Sequence, residues 1–231
     1  MFDLHPYPAT CPGCGSACEA VKFGAGERFL CDPCADADKA RRVALARVRR
    51  ASDALAAVTP GDFARKIDPD RINPGIRPAL ELSGMEGVGL IGATHAGKTR
   101  VAYHLLRKAA AAGKMPYAIT GSKYRQAVAM RHDRDNGTGE ILRACRFAQV
   151  LLLDDVGKGS TTEGGDEALF DLLTERRDNC RVTIWTANGD GRWIAARYGN
   201  DRGPAIAVRL ANLAGCYGEG QGRIFKARKE S

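Results

Sequence analysis

Residues Gly92 to Thr99 read GATHAGKT and fill every fixed position of the pattern G-x-x-x-x-G-K-[ST]. They follow an apolar run, Val88 to Ile91, and precede a segment with Val101, Leu105 and Leu106 on one side. Buried strand, glycine loop and amphipathic helix therefore occur in the order a phosphate loop needs. Gly92 and Gly97 let the backbone bend so that successive N–H groups face the phosphates of ATP, and the helix adds its positive amino-terminal end. Lys98 is expected to reach the terminal phosphates, and Thr99 to hold Mg²⁺ through its hydroxyl. Ala93, Thr94, His95 and Ala96 fill the variable positions of the loop and Arg100 follows it; His95 is expected to face solvent.

Downstream, Val150 to Leu153 form an apolar run that ends in Asp154 and Asp155. A buried strand ending in two carboxylates places them where ligands bind in open α/β sheets. Asp154 is expected in the Mg²⁺ shell and Asp155 as the group that orients or deprotonates the attacking water. A further run, Val182 to Trp185, leads into Thr186-Ala187-Asn188, and the Asn188 amide is a candidate contact for the terminal phosphate or the same water. The alternation of apolar runs and amphipathic segments from Ala79 onward predicts an α/β fold, a parallel sheet flanked by helices. Strands are expected near 87–91, 116–120, 149–153 and 182–185. Helices are expected near 98–112, 123–131, 139–147, 166–179, 193–198 and 204–213, with a terminal pair of strands around 215–225.

Five of the eight cysteines precede residue 35, four of them as Cys11-x-x-Cys14 and Cys31-x-x-Cys34. Two CxxC turns at this spacing fit a zinc ribbon, in which four thiolates surround one tetrahedral ion. The segment is too short and polar to build its own core, so Zn²⁺ would supply its folding energy. Cys18 is a spare, either unliganded or replacing one of the four. Cys145, Cys180 and Cys216 stand singly in apolar contexts and are expected in the core.

These features divide the chain into a zinc module (1–35), a basic connecting helix (36–58), a Pro-rich linker (59–78) and a nucleotide-binding domain (79–231). The formal net charge is +8, which favours polyanionic partners. Lys39 to Arg50 holds six cations and no acid; it reads equally as a solvated helix or as a docking surface. Arg100 to Arg134 holds eight cations and one acid, and includes Ser122-Lys123-Tyr124-Arg125. Cations beside an aromatic suit single-stranded DNA, and a solvated helix face explains them as well. No apolar run approaches the roughly 20 residues of a membrane span, and no secretory signal pattern is present, so a cytoplasmic location is expected.

The ordered set GATHAGKT, VLLLDD, WTAN and Arg209-Leu210 resembles the DnaC/IstB-type helicase-loader branch of the AAA+ ATPases, over roughly Phe63 to Phe225. The resemblance implies an ATPase that binds a hexameric replicative helicase and single-stranded DNA, with ATP hydrolysis as a release switch. It further implies that Asn188 is the sensor-1 residue, that Arg209 is an arginine finger acting on a neighbouring copy, hence self-association, and that Arg223 is a sensor-2 candidate. Loaders often carry Asp-Glu at the end of the acidic strand, where this chain has Asp-Asp. Rival readings are an IstB-like transposition helper and a nucleotide-gated adaptor with negligible hydrolysis.

Overall fold

Two short strands, β1 (Tyr7–Thr10) and β2 (Ala17–Ala20), pair antiparallel across a turn that carries Cys11 and Cys14. The structure, a computed structural model, describes residues 7–20, 31–131, 137–160, 162–198, 202–214 and 223–228. It divides into two units, 1–47 and 48–231. The boundary falls inside helix α1 (Asp32–Val58), which starts within the second cysteine pair, four residues earlier than expected. Residues 39–47 of α1 are exposed on every side, whereas Ala51 and Leu55 are buried in the core of the second unit.

In the second unit, β3 (Val88–Ile91), β4 (Pro116–Thr120), β5 (Val150–Val156), β6 (Val182–Ala187) and β7 (Arg223–Lys226) form an all-parallel sheet in the order β4-β5-β6-β3-β7. The central strands β3, β5 and β6 are largely apolar and buried because both faces of the sheet are covered there, whereas the edge strand β7 is mostly exposed. Leu90, Leu152 and Ile184 enter the core beneath α3 (Lys98–Ala111), and Ile91, Leu151, Leu153 and Trp185 enter the core on the opposite face. That second face is covered by α4 (Gly121–Ala129), α5 (Thr138–Phe147), α6 (Glu163–Asp178), α7 (Gly191–Tyr198) and α8 (Arg202–Leu213). From β3 the chain crosses to the edge strand β4, steps back through β5 to β6 beside β3, and ends in β7 on the other side of β3. The connection leaving β3 runs through α3 over one face and the connection leaving β6 runs through α7 and α8 over the other, which opens a crevice at the carboxyl ends of these two strands.

Residues 59–78, read from sequence as a linker, contribute to the core. They form α2 (Gly61–Ala64) and a 3-10 turn (Pro69–Arg71), with a second 3-10 turn at Arg77–Glu81. Ile72 and Ile76 are at most 1% exposed. The prolines fit because Pro69 and Pro78 start the two 3-10 turns, where no N–H is required. Asn73 bonds both the N–H and the carbonyl of Arg228, which ties this segment to the chain beyond β7.

Other differences are local. Helix α6 begins three residues before the expected start because Thr162 caps it, accepting from Gly165 N–H, so the two glycines are tolerated in its first turn. Cys145 is buried as expected, whereas Cys180 is exposed, in the turn that ends α6 with φ +49°. Cys216, and most of the first expected terminal strand, lie outside the described residues. If the 59–78 segment is core, Ile72→Ala should lower unfolding free energy by about 2–5 kcal/mol in urea titration; a loss below about 0.5 kcal/mol, the range of ordinary surface substitutions, would contradict its burial.

Candidate nucleotide site and cysteine cluster

The loop Gly92 to Gly97 leaves the carboxyl end of β3 and feeds directly into α3. Gly97 has φ +87°, a left-handed conformation that favours glycine, and a Cβ there would also press on the end of the Ile72 side chain. Among the described residues, none accepts a hydrogen bond from the main-chain N–H of Ala93, Thr94, His95, Ala96 or Gly97. Those donors are left to a ligand or to solvent, at the positive end of a 14-residue helix. His95, with φ +65°, and Thr94, Arg100, Asp155 and Asn188 line the adjoining cleft of about 250 Å³, as does Phe63, whose ring stacks on Tyr103.

Lys98 is buried, and its ammonium donates to Gly92 O at 2.8 Å, Ala93 O at 2.6 Å and Asn188 Oδ1 at 3.1 Å. Burial pulls the Lys98 ammonium below its ordinary range, opposed by the negative charge of Asp155 and Asp154. The ammonium thus joins the carboxyl ends of β3 and β6 across the crevice. Next to it, Thr99 Oγ1 lies 3.0 and 3.2 Å from the two carboxylate oxygens of Asp154. Burial pushes the Asp154 carboxyl up, while hydrogen bonds from Thr186 and Thr99 hold it down. A hydroxyl and a carboxylate in contact, both oxygen donors, suit Mg²⁺. The structure therefore brings together Gly92, Lys98, Thr99, Asp154, Asp155 and Asn188.

Asp155 has φ +54°, a strained conformation for a residue with a side chain, costing about 1–3 kcal/mol unless its surroundings fix it. The loop after it is held firmly. Arg125 donates to Lys158 O and Ser160 O, Arg197 to Gly157 O, and Gly157 N–H donates to the Tyr198 hydroxyl. Lys158 Nζ lies 3.1 Å from Asp155 Oδ2, but its side chain is 64% exposed, so the pair contributes at most about 1 kcal/mol.

Two sequence expectations, for Ser122-Lys123-Tyr124-Arg125 and for Arg223, are corrected. Tyr124 is buried and bonds Ala168 O, so it cannot stack on a base, and Arg125 is buried against the loop after β5. Arg223 sits opposite Val88 at the amino end of β7, three residues and about 10 Å from the phosphate-loop end of the sheet, and faces Glu86 at 3.7 Å. It is not part of this cleft. Arg209 is engaged within its own chain, donating to Thr174 Oγ1 at 2.6 Å and stacking 3.7 Å over Phe170. Sequence reading also missed Thr186, fully buried and bonded to the Asp154 carboxylate and the Asp155 N–H; the signal was a hydroxyl in a strand buried along its whole length.

In the first unit, the sulfurs of Cys11, Cys14, Cys31 and Cys34 all lie within 4.8 Å of one another, with Cys14 and Cys31 Sγ 3.6 Å apart. Zn–S bonds of about 2.3 Å in a tetrahedron require sulfur separations of about 3.8 Å, so the group fits zinc. The four thiols differ: Cys11 is lowered to about 6, chiefly by the Cys31 N–H, while Cys34 is pushed up to about 12, chiefly by hydrogen bonding with Cys31. Cys18 is partly exposed and not in the cluster.

No family model matches the chain, and no curated protein matches it by sequence. Its structure is similar to that of the DnaC helicase loader (TM-score 0.52, 20% identity, over 66% of this chain and 86% of that one). It is also similar to DnaI (TM-score 0.54, 18% identity, 74% and 93%). DnaA from Aquifex aeolicus, bound to AMPPCP, matches with TM-score 0.51 and 17% identity over 71% of this chain and 51% of that one. These likenesses show the fold, five parallel strands flanked by helices. Among the described residues no helix is long and apolar enough to cross a membrane.

Zinc released by a thiol reagent should amount to one equivalent per chain, falling to below about 0.2 in Cys11→Ser or Cys34→Ser, as expected when one of four thiolates is removed. Stoichiometric zinc in both variants would refute a four-thiolate site.

Proposed function

We propose that this chain is an ATP-dependent loader of a hexameric replicative helicase. The observation that carries the reading is the convergence, at one end of the sheet, of unpartnered loop N–H groups, a buried ammonium and a Thr99–Asp154 pair. Main-chain groups from Ala93 to Gly97 and the Lys98 ammonium hold the phosphates of ATP, with His95 and Arg100 at the mouth of the cleft. Thr99 and Asp154 hold Mg²⁺, which when bound neutralises phosphate charge. Asp155 accepts a proton from the attacking water, and Asn188 orients that water or the terminal phosphate.

The functional division follows the chain. The zinc module (1–35) and the exposed basic stretch of α1 within 36–58 dock the helicase, and the ATPase domain (79–231) contacts single-stranded DNA. Arg209 reaches a neighbouring copy's ATP site on assembly, exchanging its contacts with Thr174 and Phe170. The loader reading, rather than a general ATPase reading, is supported by likeness to the two structures whose names are DnaC helicase loader and DnaI.

A second reading, an adaptor that uses ATP only as an assembly ligand, is favoured by Lys158, which lies against the Asp155 carboxylate. Three proteins separate the two readings when mixed with a hexameric replicative helicase and ATP. The unaltered chain should form a complex that dissolves as ATP turns over. Asp155→Asn should bind ATP normally, turn it over about 100-fold more slowly and keep the complex. Lys98→Ala should lose about 3 kcal/mol of nucleotide binding and form no ATP-dependent complex while folding normally. Negligible turnover in both the unaltered chain and Asp155→Asn, with a complex that still needs ATP, would establish the adaptor; equal, measurable turnover in both would count against the role of Asp155, and wild-type turnover by Lys98→Ala would exclude the phosphate site.

A further inference from the structure

The last turn of the acidic strand is irregular. Val150 to Leu153 pair one-to-one with Val182 to Trp185, but the next pairing joins Val156 to Ala187. Asp154 and Asp155 on β5 thus stand against Thr186 alone on β6, a bulge of two residues against one. At such a bulge one ladder hydrogen bond is missing, and here the orphaned donor is the Asp155 N–H.

Thr186 takes that bond with its side chain. Its hydroxyl oxygen accepts from Asp155 N–H at 2.9 Å and donates its one proton to Asp154 Oδ1 at 2.7 Å. Thr186 is fully buried, and its β-branched side chain is stiff about χ1, so neither water nor rotation relieves the arrangement. A hydroxyl carries one proton, so the direction of both bonds is fixed: the backbone N–H cannot accept, and the carboxylate cannot donate while ionised.

We propose that Thr186 is the positioning residue of the metal and water site. One hydroxyl anchors the Asp154 carboxylate beside Thr99, and also sustains the bulge that turns Asp155 toward the cleft. This inference rests on the ATPase reading, in which Asp154 serves Mg²⁺ and Asp155 serves water. It adds that these two roles are set by one buried group contributed by the neighbouring strand. Without the hydroxyl, Asp154 keeps its contact with Thr99 but is free to turn about χ2, and the Asp155 N–H is left buried without an acceptor. Thr186 is fully buried and its hydroxyl is engaged by Asp154 and Asp155, so its loss should act through Mg²⁺ affinity and turnover, and not through metal-free nucleotide binding.

The test uses the full chain and a fluorescent ATP analogue titrated in EDTA and at increasing Mg²⁺. In Thr186→Val, which keeps the shape and removes the hydroxyl, half-saturating Mg²⁺ should rise 10- to 100-fold and turnover should fall by a similar factor. Analogue affinity in EDTA should stay within about 3-fold, a shift below 1 kcal/mol, and Thr186→Ser should restore Mg²⁺ dependence to within the same factor. Should Thr186→Val not yield folded protein, Thr186→Cys, with only a weak donor, should show the same rise in Mg²⁺ requirement. Wild-type Mg²⁺ dependence in Thr186→Val or Thr186→Cys, or a Thr186→Ser variant as impaired as Thr186→Val, overturns the inference. Failure of the unaltered chain to bind the analogue at any Mg²⁺ concentration would instead overturn the ATPase reading on which it rests.

Discussion

A polyphosphate can be gripped by neutral main-chain groups only where several N–H donors have no partner of their own, and among the described residues the loop from Ala93 to Gly97 is such a place. Ordinary loops satisfy their donors with turns and caps. This one does not, because Gly92 and Gly97 take conformations that turn the backbone away from helical and ladder partners until α3 begins. The parallel sheet makes the arrangement useful. It ends β3, β5 and β6 side by side, so that the loop, the carboxylates and Asn188 meet without any of them sitting on a long excursion.

Charge within the site is balanced by placement more than by number. Lys98 is buried and held by two carbonyls and an amide, none of them charged, so its ammonium is solvated by dipoles yet remains available to an anion. Asp154 is likewise buried, and two hydroxyls stabilise it in the absence of a direct ammonium contact. Asp155 differs in being a quarter exposed and in a strained backbone conformation. Two carboxylates adjacent in sequence therefore meet different environments, which is the usual physical basis for giving such groups different tasks.

Much of this was legible in the sequence because its signals are local. The phosphate loop, the apolar runs of β3 to β6 and helices α3 to α8 each announce themselves within a window of a few residues, and the paired CxxC turns do so as well. What escaped reading depends on partners distant in the chain. The Pro-rich stretch 59–78 looks like a linker until Ile72 and Ile76 are seen to fill the core beneath α3. Tyr124 looks like a stacking residue because periodicity gives the faces of α4 but not which of them meets α6. The family resemblance makes Arg223 a sensor-2 candidate, whereas parallel register with β3 fixes it at the far end of the sheet. The strands β1 and β2 are four residues each around a polar turn, too short for alternation to mark. Thr186 escaped because its importance lies in a bulge on the neighbouring strand, which no pattern within β6 announces.

The central claim is that main-chain N–H groups of the phosphate loop hold a Mg²⁺-bound triphosphate. Amide hydrogen exchange, measured peptide by peptide with and without a slowly hydrolysed ATP analogue and Mg²⁺, reads those groups directly. The account expects exchange to slow by about 10-fold or more over residues 93–99, corresponding to at least about 1.4 kcal/mol of added protection, with smaller protection at 154–155 and 188. Unchanged exchange across residues 93–99 at saturating nucleotide, or protection confined to another part of the chain, would contradict it.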